Sequence, residues 1–352
     1  MSALRSGYIR DLPTDLVWFV ALPFAAIGIA LGFHGWLPFV AAASVAAWVT
    51  IPHHYATWVR SYGLAEDWTR WRTRLEVGPL LLIPTVMLGA AFAPLTVALV
   101  LMMWDHQHSI MQQHGFARIY DFKAGTGSAV TGRFDLGLHI VLYGNMLLTA
   151  PIWTELWIAG LYGWGLTVRP ETVMQVQQVS WWLTGAYALV YAVHVGAHLS
   201  RGGGLNPMKY LFLFSSYSLW YYVSWQDSFL VYTVAHRIMH GVQYILMVWW
   251  YLDNKAERTG ERPRFLTRLN LARFLGLGIV YAVCFQIAFG SGLADFTFGL
   301  LDVELTEGFL GFGGEKAAGL YAATVINAAA ALHYYVDSFI WKTRDPQTQE
   351  GL

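Results

Sequence analysis

The sequence predicts an all-α fold: a polytopic transmembrane helical bundle of about ten spans, with both termini on the cytoplasmic side. Three observations predict it. Apolar stretches long enough to cross a bilayer recur from end to end. Of the 352 residues, 56% are hydrophobic and only 12% are charged, against about 25% charged in a soluble domain, and mean hydropathy is +0.42. Finally, the basic residues fall almost entirely on one set of alternating loops.

A span needs about 20 mostly apolar residues. The chain offers them at roughly 13–33, 35–57, 77–93, 94–114, 136–158, 179–200, 207–225, 228–252, 268–290 and 317–341. Arg5 and Arg10 before the first stretch imitate a secretory signal. No small-residue cleavage site follows, and a second apolar segment comes at once, so the first stretch is read as a span. With ten spans, one face holds the N-terminus, 58–76, 115–135, 201–209, 253–268 and the C-terminus. These segments hold eighteen of the 22 Lys and Arg residues, and the opposite loops hold only Arg169 and Lys316. The positive-inside rule then places both ends in the cytoplasm. The Gly-rich, acidic segment from Ser291 to Glu315 reads as an extracytoplasmic loop. Residues 1–352 form a single integral membrane domain on this reading, in a multi-pass protein of a bacterial inner membrane.

Composition excludes several classes. Formal net charge is zero, so nothing points to nucleic acid. The single cysteine, Cys284, lies in an apolar run, which rules out an internal disulfide framework or a thiolate cluster. Most of the 17 Trp and 19 Tyr suit interfacial belts, as in "WWYLDNK" at 249–255. "RGGGLNP" at 201–207 lacks the lysine and strand–helix context of a phosphate loop and reads as a connector.

The placement of the twelve histidines carries the functional signal. His34 sits in the outer turn between the first two spans. Most others lie in the cytoplasmic half of a span: His53 and His54 close the second, His106, His108 and His114 the fourth, and His194 and His198 the sixth. His139 opens the fifth. His333, with Asp337, lies toward the inner end of the tenth, and His236 and His240 lie nearer mid-membrane in the eighth. Ionisable residues inside a membrane are costly and mark function.

Residues four apart in a helix share a face. His194/His198, His236/His240 and His333/Asp337 are such pairs, and a metal ion taking two ligands from one helix needs that spacing. Imidazole with carboxylate suits iron, manganese or zinc. In "WDHQHSIMQQHG" (104–115), Asp105 and His108 share a face while His106 points to nearly the opposite one. His108 is therefore a ligand candidate, and Asp105 is either a ligand or the acceptor for a ligand's second N–H. His106 joins only through a helix bend or a second metal. His114 is either a ligand or a headgroup-level residue. His139 is read as an interhelical hydrogen-bonding group. Arg237, beside His236, either pairs with Asp337 or Asp105 or holds an anionic substrate head. Asp105 and Arg237 are the candidate catalytic residues that act without being part of the histidine set.

The motifs "PHHY" (52–55), "DHQH" (105–108), "HVGAH" (194–198), "HRIMH" (236–240) and "HYYVD" (333–337) resemble the boxes of the integral-membrane histidine-box family. That family contains fatty acyl desaturases, hydroxylases and alkane monooxygenases. The same residues also suit a relative of the membrane carotenoid-cleaving oxygenases. The resemblance implies a non-haem di-iron site with His53, His54, His106, His108, His194, His198, His236, His240 and His333 as candidate ligands. It also implies O₂-dependent oxidation of a lipophilic substrate reached through the bilayer. No electron-transfer domain is fused to the chain, so an external donor of ferredoxin, rubredoxin or cytochrome type is expected; the basic inner loops 58–76 and 253–268 offer it a docking place, although the positive-inside rule alone accounts for their charge and is the preferred reading. Two other classes stay open: a divalent metal transporter or binding protein (Zn or Mn), and a non-covalent haem b electron carrier. Close same-helix pairs argue against haem. Clustering to one side, without repeats, argues against a midplane transport site.

Overall fold

A computed structural model describes residues 3–36, 38–264, 266, 270–289, 297–298 and 315–352. The expected acidic outer loop 291–315 lies almost wholly outside these residues. Among the described residues the chain is helical, and its one β feature is an isolated bridge between Leu4 and Leu205. The helices are α1 (Leu12–Asp15), continued through a π segment (Leu16–Ala21) into α2 (Leu22–Trp36); α3 (Pro38–Val45), continued through a second π segment (Ala46–Thr50) into α4 (Ile51–Gly63); α5 (Ala65–Phe92); α6 (Pro94–Ala124); α7 (Ala129–Thr149); α8 (Pro151–Gly163); α9 (Pro170–Ser200); α10 (Pro207–Ser224); α11 (Phe229–Thr259); α12 (Leu271–Phe289); α13 (Glu315–Ile340); and α14 (Pro346–Gly351).

The local sequence explains many of these boundaries. Pro151, Pro170 and Pro207 occupy first-turn positions, where the missing N–H costs nothing. Asp11 caps α1 by accepting from Thr14 N at 2.9 Å, and Ser128 caps α7 by accepting from Thr131 N at 3.0 Å. Gly260, at φ 74°, follows α11 in the left-handed conformation that ends helices and that a side chain resists.

Three helical segments are long and apolar enough to cross a membrane: Leu12–Gly35, Ala65–Phe92 and Leu271–Ala288. The pair Ala129–Thr149 and Pro151–Gly163, bent by 73°, makes a fourth if taken as one broken span. Other long helices fall short of that composition because the candidate site dilutes them: α6 carries Asp105 and three histidines, and α11 carries His236, Arg237 and His240. On α9, Leu183, Leu189 and Val193 are each more than 60% exposed, which water would penalise in such a run.

The chain divides into two compact units, Met1–Ala30 with Ser109–His236, and Leu31–His108 with Arg237–Leu352. The first is built around an aromatic cluster. Phe19 packs edge-on against Phe116 at 5.2 Å, and Tyr120, one turn beyond Phe116, packs against Phe212 at 5.7 Å. Lys209 is buried in the same unit and donates to Asp121 and Asp135, both at 2.9 Å. Arg118 adds a second cation at 2.8 Å from Asp121, so two carboxylates face two cations in this network.

In the second unit, Leu75 of α5 packs against Leu332, Val336, Phe339 and Ile340 of α13. Ile51 packs on Ala282 and Phe285 of α12. Arg60 is fully buried between the rings of Tyr251 and Trp341, its guanidinium carbon 3.9 and 3.6 Å from their centroids, with Asp67 as its carboxylate at 3.5 Å. Nearby, Arg70 pairs with Asp345 just ahead of α14, and Lys255 faces Glu66, Glu261 and Glu350.

The approach of α11 to the second π segment depends on Gly241. A Cβ there would stand 2.6 Å from Cγ1 of Val49 and 3.7 Å from Cβ of His53. Val49 is β-branched and stiff, so the clash does not relax cheaply. Gly241→Val is expected to destabilise the protein by about 1–3 kcal/mol through overpacking, seen as a lower melting temperature in detergent. An unchanged or raised melting temperature would contradict the close approach.

Candidate metal centre

Four histidines from four separate stretches of the second unit meet in its interior. His53 lies in the first turn of α4, directly after the π segment, an irregularity that often marks functional positions. His108 lies on α6, His240 on α11 and His333 on α13. All four are buried, and each offers one ring nitrogen within 4.8 Å of the other three. Ring centroids stand 4.2 Å apart for His53 and His333, 4.7 Å for His108 and His333, 4.9 Å for His53 and His240, and 5.1 Å for His108 and His240. Two donors on one ion with bonds of about 2.0–2.1 Å lie at most about 4.2 Å apart. Four donors set tetrahedrally on one ion lie closer, about 3.4 Å apart, so the four rings must draw in toward one another to hold a single ion.

A hydrogen-bonded relay behind the ring of His333 sets its tautomer. Tyr244 Oη donates to Asp337 Oδ1 at 2.6 Å. Trp341 Nε1 only donates, and gives to Tyr244 Oη at 3.3 Å. The tyrosine proton is thus committed to Asp337, and Thr57 Oγ1 donates to Tyr244 Oη at 2.7 Å. Thr57 in turn accepts from His333 Nδ1 at 2.7 Å. His333 therefore keeps its proton on Nδ1 and presents a bare Nε2, 3.1 Å from Nε2 of His108. Two imidazole nitrogens facing at that distance repel unless a proton or a metal ion lies between them. The other oxygen of Asp337 stands 3.9 Å from His108 Nε2 and 3.8 Å from His333 Nε2, at the edge of the same space.

The remaining candidates divide clearly. His54 is buried beside the group, its ring 5.5 Å from that of His53 and 5.2 Å from that of His333, and is not one of the four. His106 is also buried and outside the four. α6 is a regular helix, and two residues of separation turn His106 away from the face of His108. Asp105 shares the His108 face and accepts from Tyr334 Oη at 2.8 Å. Arg237, among the described residues, forms no ion pair with Asp105 or Asp337, the two partners its position suggests.

The other three ligand candidates belong to the first unit, each with neighbours of its own there. The ring of His194 stacks on Phe134 at 3.9 Å. His198 Nε2 lies 3.3 Å from the carbonyl of Gly204. His236 accepts from Trp220 Nε1 on its Nδ1 at 2.9 Å, which leaves the proton on Nε2, 3.3 Å from Ser109 Oγ. That tautomer has no free lone pair for a metal. So the pair His236/His240 is split between two roles, while His333 and Asp337 stay together. In the same unit His139 bridges α7 and α10 through Tyr217 Oη, 2.8 Å from Nδ1, and its ring lies 5.6 Å from that of His114.

Thr57, Tyr244 and Tyr334 are absent from a histidine-led reading of the sequence. Two were within reach of it: Thr57 follows His53 by four residues and Tyr244 follows His240 by four, so each shares a helix face with a ligand candidate. Comparison of the chain with protein-family models, curated proteins and solved structures finds no match.

Loss of one of four donors is expected to strip bound metal from His240→Ala, whereas His236→Ala keeps wild-type metal content by elemental analysis. Equal loss in both variants would overturn the assignment of Nδ1 of His236 to Trp220. Thr57→Val removes the acceptor behind His333 and is expected to weaken metal binding about 10- to 100-fold, with Thr57→Ser restoring it in a competitive chelator titration. If the valine variant binds as tightly as wild type, the relay does not orient the ligand.

Proposed function

We propose that this chain is a multi-pass membrane metalloenzyme, a non-haem iron oxidoreductase that uses O₂ to oxidise a lipophilic substrate. One observation carries the reading: four buried imidazoles, from positions as distant as 53 and 333, converge on a volume the size of one ion's coordination sphere. A structural hydrogen-bonding role explains one or two buried histidines, and it does not explain four nitrogens gathered within 4.8 Å. Imidazole donors suit iron, copper and zinc alike, and the choice of iron follows the resemblance of the histidine motifs to the membrane histidine-box family.

His53, His108, His240 and His333 would hold the ion. Asp337 borders it, and Thr57 and Tyr244 orient two of these side chains. Iron in such a set supplies redox chemistry that amino-acid side chains lack. For a hydroxylation the balance is R–H + O₂ + 2 e⁻ + 2 H⁺ → R–OH + H₂O. The two electrons come from an external ferredoxin-, rubredoxin- or cytochrome-like donor, and the same oxidant class serves desaturation or cleavage. The chain's own contribution is to keep water out of an apolar interior and to fix the donor nitrogens. Four nitrogens make one donor set. A second iron, as in the di-iron sites of the resembled family, would draw on His54 and Asp337, the next nearest donors.

Haem fits this centre poorly. Ring centroids 4.2 to 6.4 Å apart leave no room for a macrocycle between opposed axial ligands.

Elemental analysis and an optical spectrum of the detergent-purified protein test the reading. Iron at about one per chain for a single ion, or about two for a pair, is expected with no Soret band. Zinc alone would move the protein to metal binding or transport, and a Soret band would move it to haem.

A further inference from the structure

The four histidines leave a polar layer one helical turn away that no metal ligation explains. Asp105 precedes His108 by three residues on α6, and Arg237 precedes His240 by three on α11. The two helices thus each place a charged side chain one turn, about 5.4 Å, N-terminal to a member of the cluster and on its face. Asp105 is anchored there by Tyr334, whose hydroxyl donates to it at 2.8 Å and whose ring lies 4.8 Å from that of His108.

Arg237 is different. It shares a face of α11 with His240, three residues on, which is the face turned toward the cluster. Yet among the described residues it makes no hydrogen bond or ion pair. Arginine carries five N–H donors in a rigid fork that matches a carboxylate. Such a group inside a membrane helix is expensive unless it serves a ligand or a pathway. One oxygen of Asp105 already accepts from Tyr334.

We propose that Arg237 is the anchor for a carboxylate head, and that the substrate is a long-chain carboxylic acid rather than a neutral hydrocarbon or alcohol. This rests on the reading of the cluster as an oxidising centre for a lipophilic substrate, and it narrows the substrate class. The spacing has a consequence. With the head held one helical turn from the cluster, the carbons next to the carboxylate face the four histidines, and the far end of the chain extends away from them.

The test compares sodium dodecanoate with dodecan-1-ol, probes of equal chain length that differ in head charge. Binding of radiolabelled probe is measured by equilibrium dialysis on the full-length, metal-loaded protein in zwitterionic nanodiscs, without electron donor. Wild type is expected to bind dodecanoate at least tenfold more tightly than the alcohol. Arg237→Gln loses that preference, weakening dodecanoate binding roughly 10- to 100-fold, the range for a charge-assisted hydrogen bond, while metal content stays unchanged. Arg237→Lys keeps the charge without the fork and falls between the two. Equal binding of both probes by wild type overturns the proposal without recourse to any variant, as does an Arg237→Gln protein that still prefers the acid. Because the assay reads binding without turnover, a protein that prefers the acid but proves unable to oxidise it would refute the oxidising centre and leave the anchor standing.

Discussion

Burying an imidazole in an apolar helical interior is tolerable only if both ring nitrogens are accounted for. That constraint governs the second unit. Each of the four clustered rings offers one nitrogen within 4.8 Å of the other three, and the rings are enclosed by the surrounding helices. For His333 the partners are visible atom by atom: Nδ1 to Thr57, Thr57 to Tyr244, Tyr244 to Asp337, with Trp341 closing the relay. This ties α4, α11 and α13 together by side chains alone. The burial of Arg60 of α4 between Tyr251 of α11 and Trp341, just beyond α13, continues the same three-helix contact beyond the site. Stability and site geometry therefore share residues, and changes that loosen one also loosen the other.

The same rule separates the histidines by role. A ring whose hydrogen bond leaves a bare nitrogen pointing into a shared space is available to an ion. A ring whose bare nitrogen is already taken by a donor is not. His333 is of the first kind and His236 of the second, because threonine accepts from one and the indole of Trp220 donates to the other. Counting histidines or their i, i+4 spacing does not reveal this. The identity of the partner side chain does.

Charge follows a related logic. In the first unit Lys209 and Arg118 are matched against Asp121 and Asp135 at hydrogen-bonding distance, a closed network with no charge to offer. Arg60 in the second unit is likewise enclosed, by two aromatic faces and Asp67. Arg237 stands apart from both patterns. A cation beside the cluster that has no bonded counter-ion among the described residues is the natural point at which an external anion completes the layer.

The sequence by itself determined that the chain is helical and rich in apolar helices, because composition and the length of apolar runs act locally and need no partner. It also determined which residue types are out of place in those helices, His53, His108, His240, His333 and Asp337 among them. It did not determine which of nine ligand candidates meet. His194, His198 and His236 satisfy the same spacing rules as the rest, yet they sit in the other compact unit with neighbours of their own. Nor did it expose Thr57 and Tyr244, whose importance comes from hydrogen bonds across 276 and 187 positions of chain. Spacing along one helix fixes which side chains share a face, but which faces turn toward one another is decided by packing between helices distant in sequence. Only the tertiary structure carries that information.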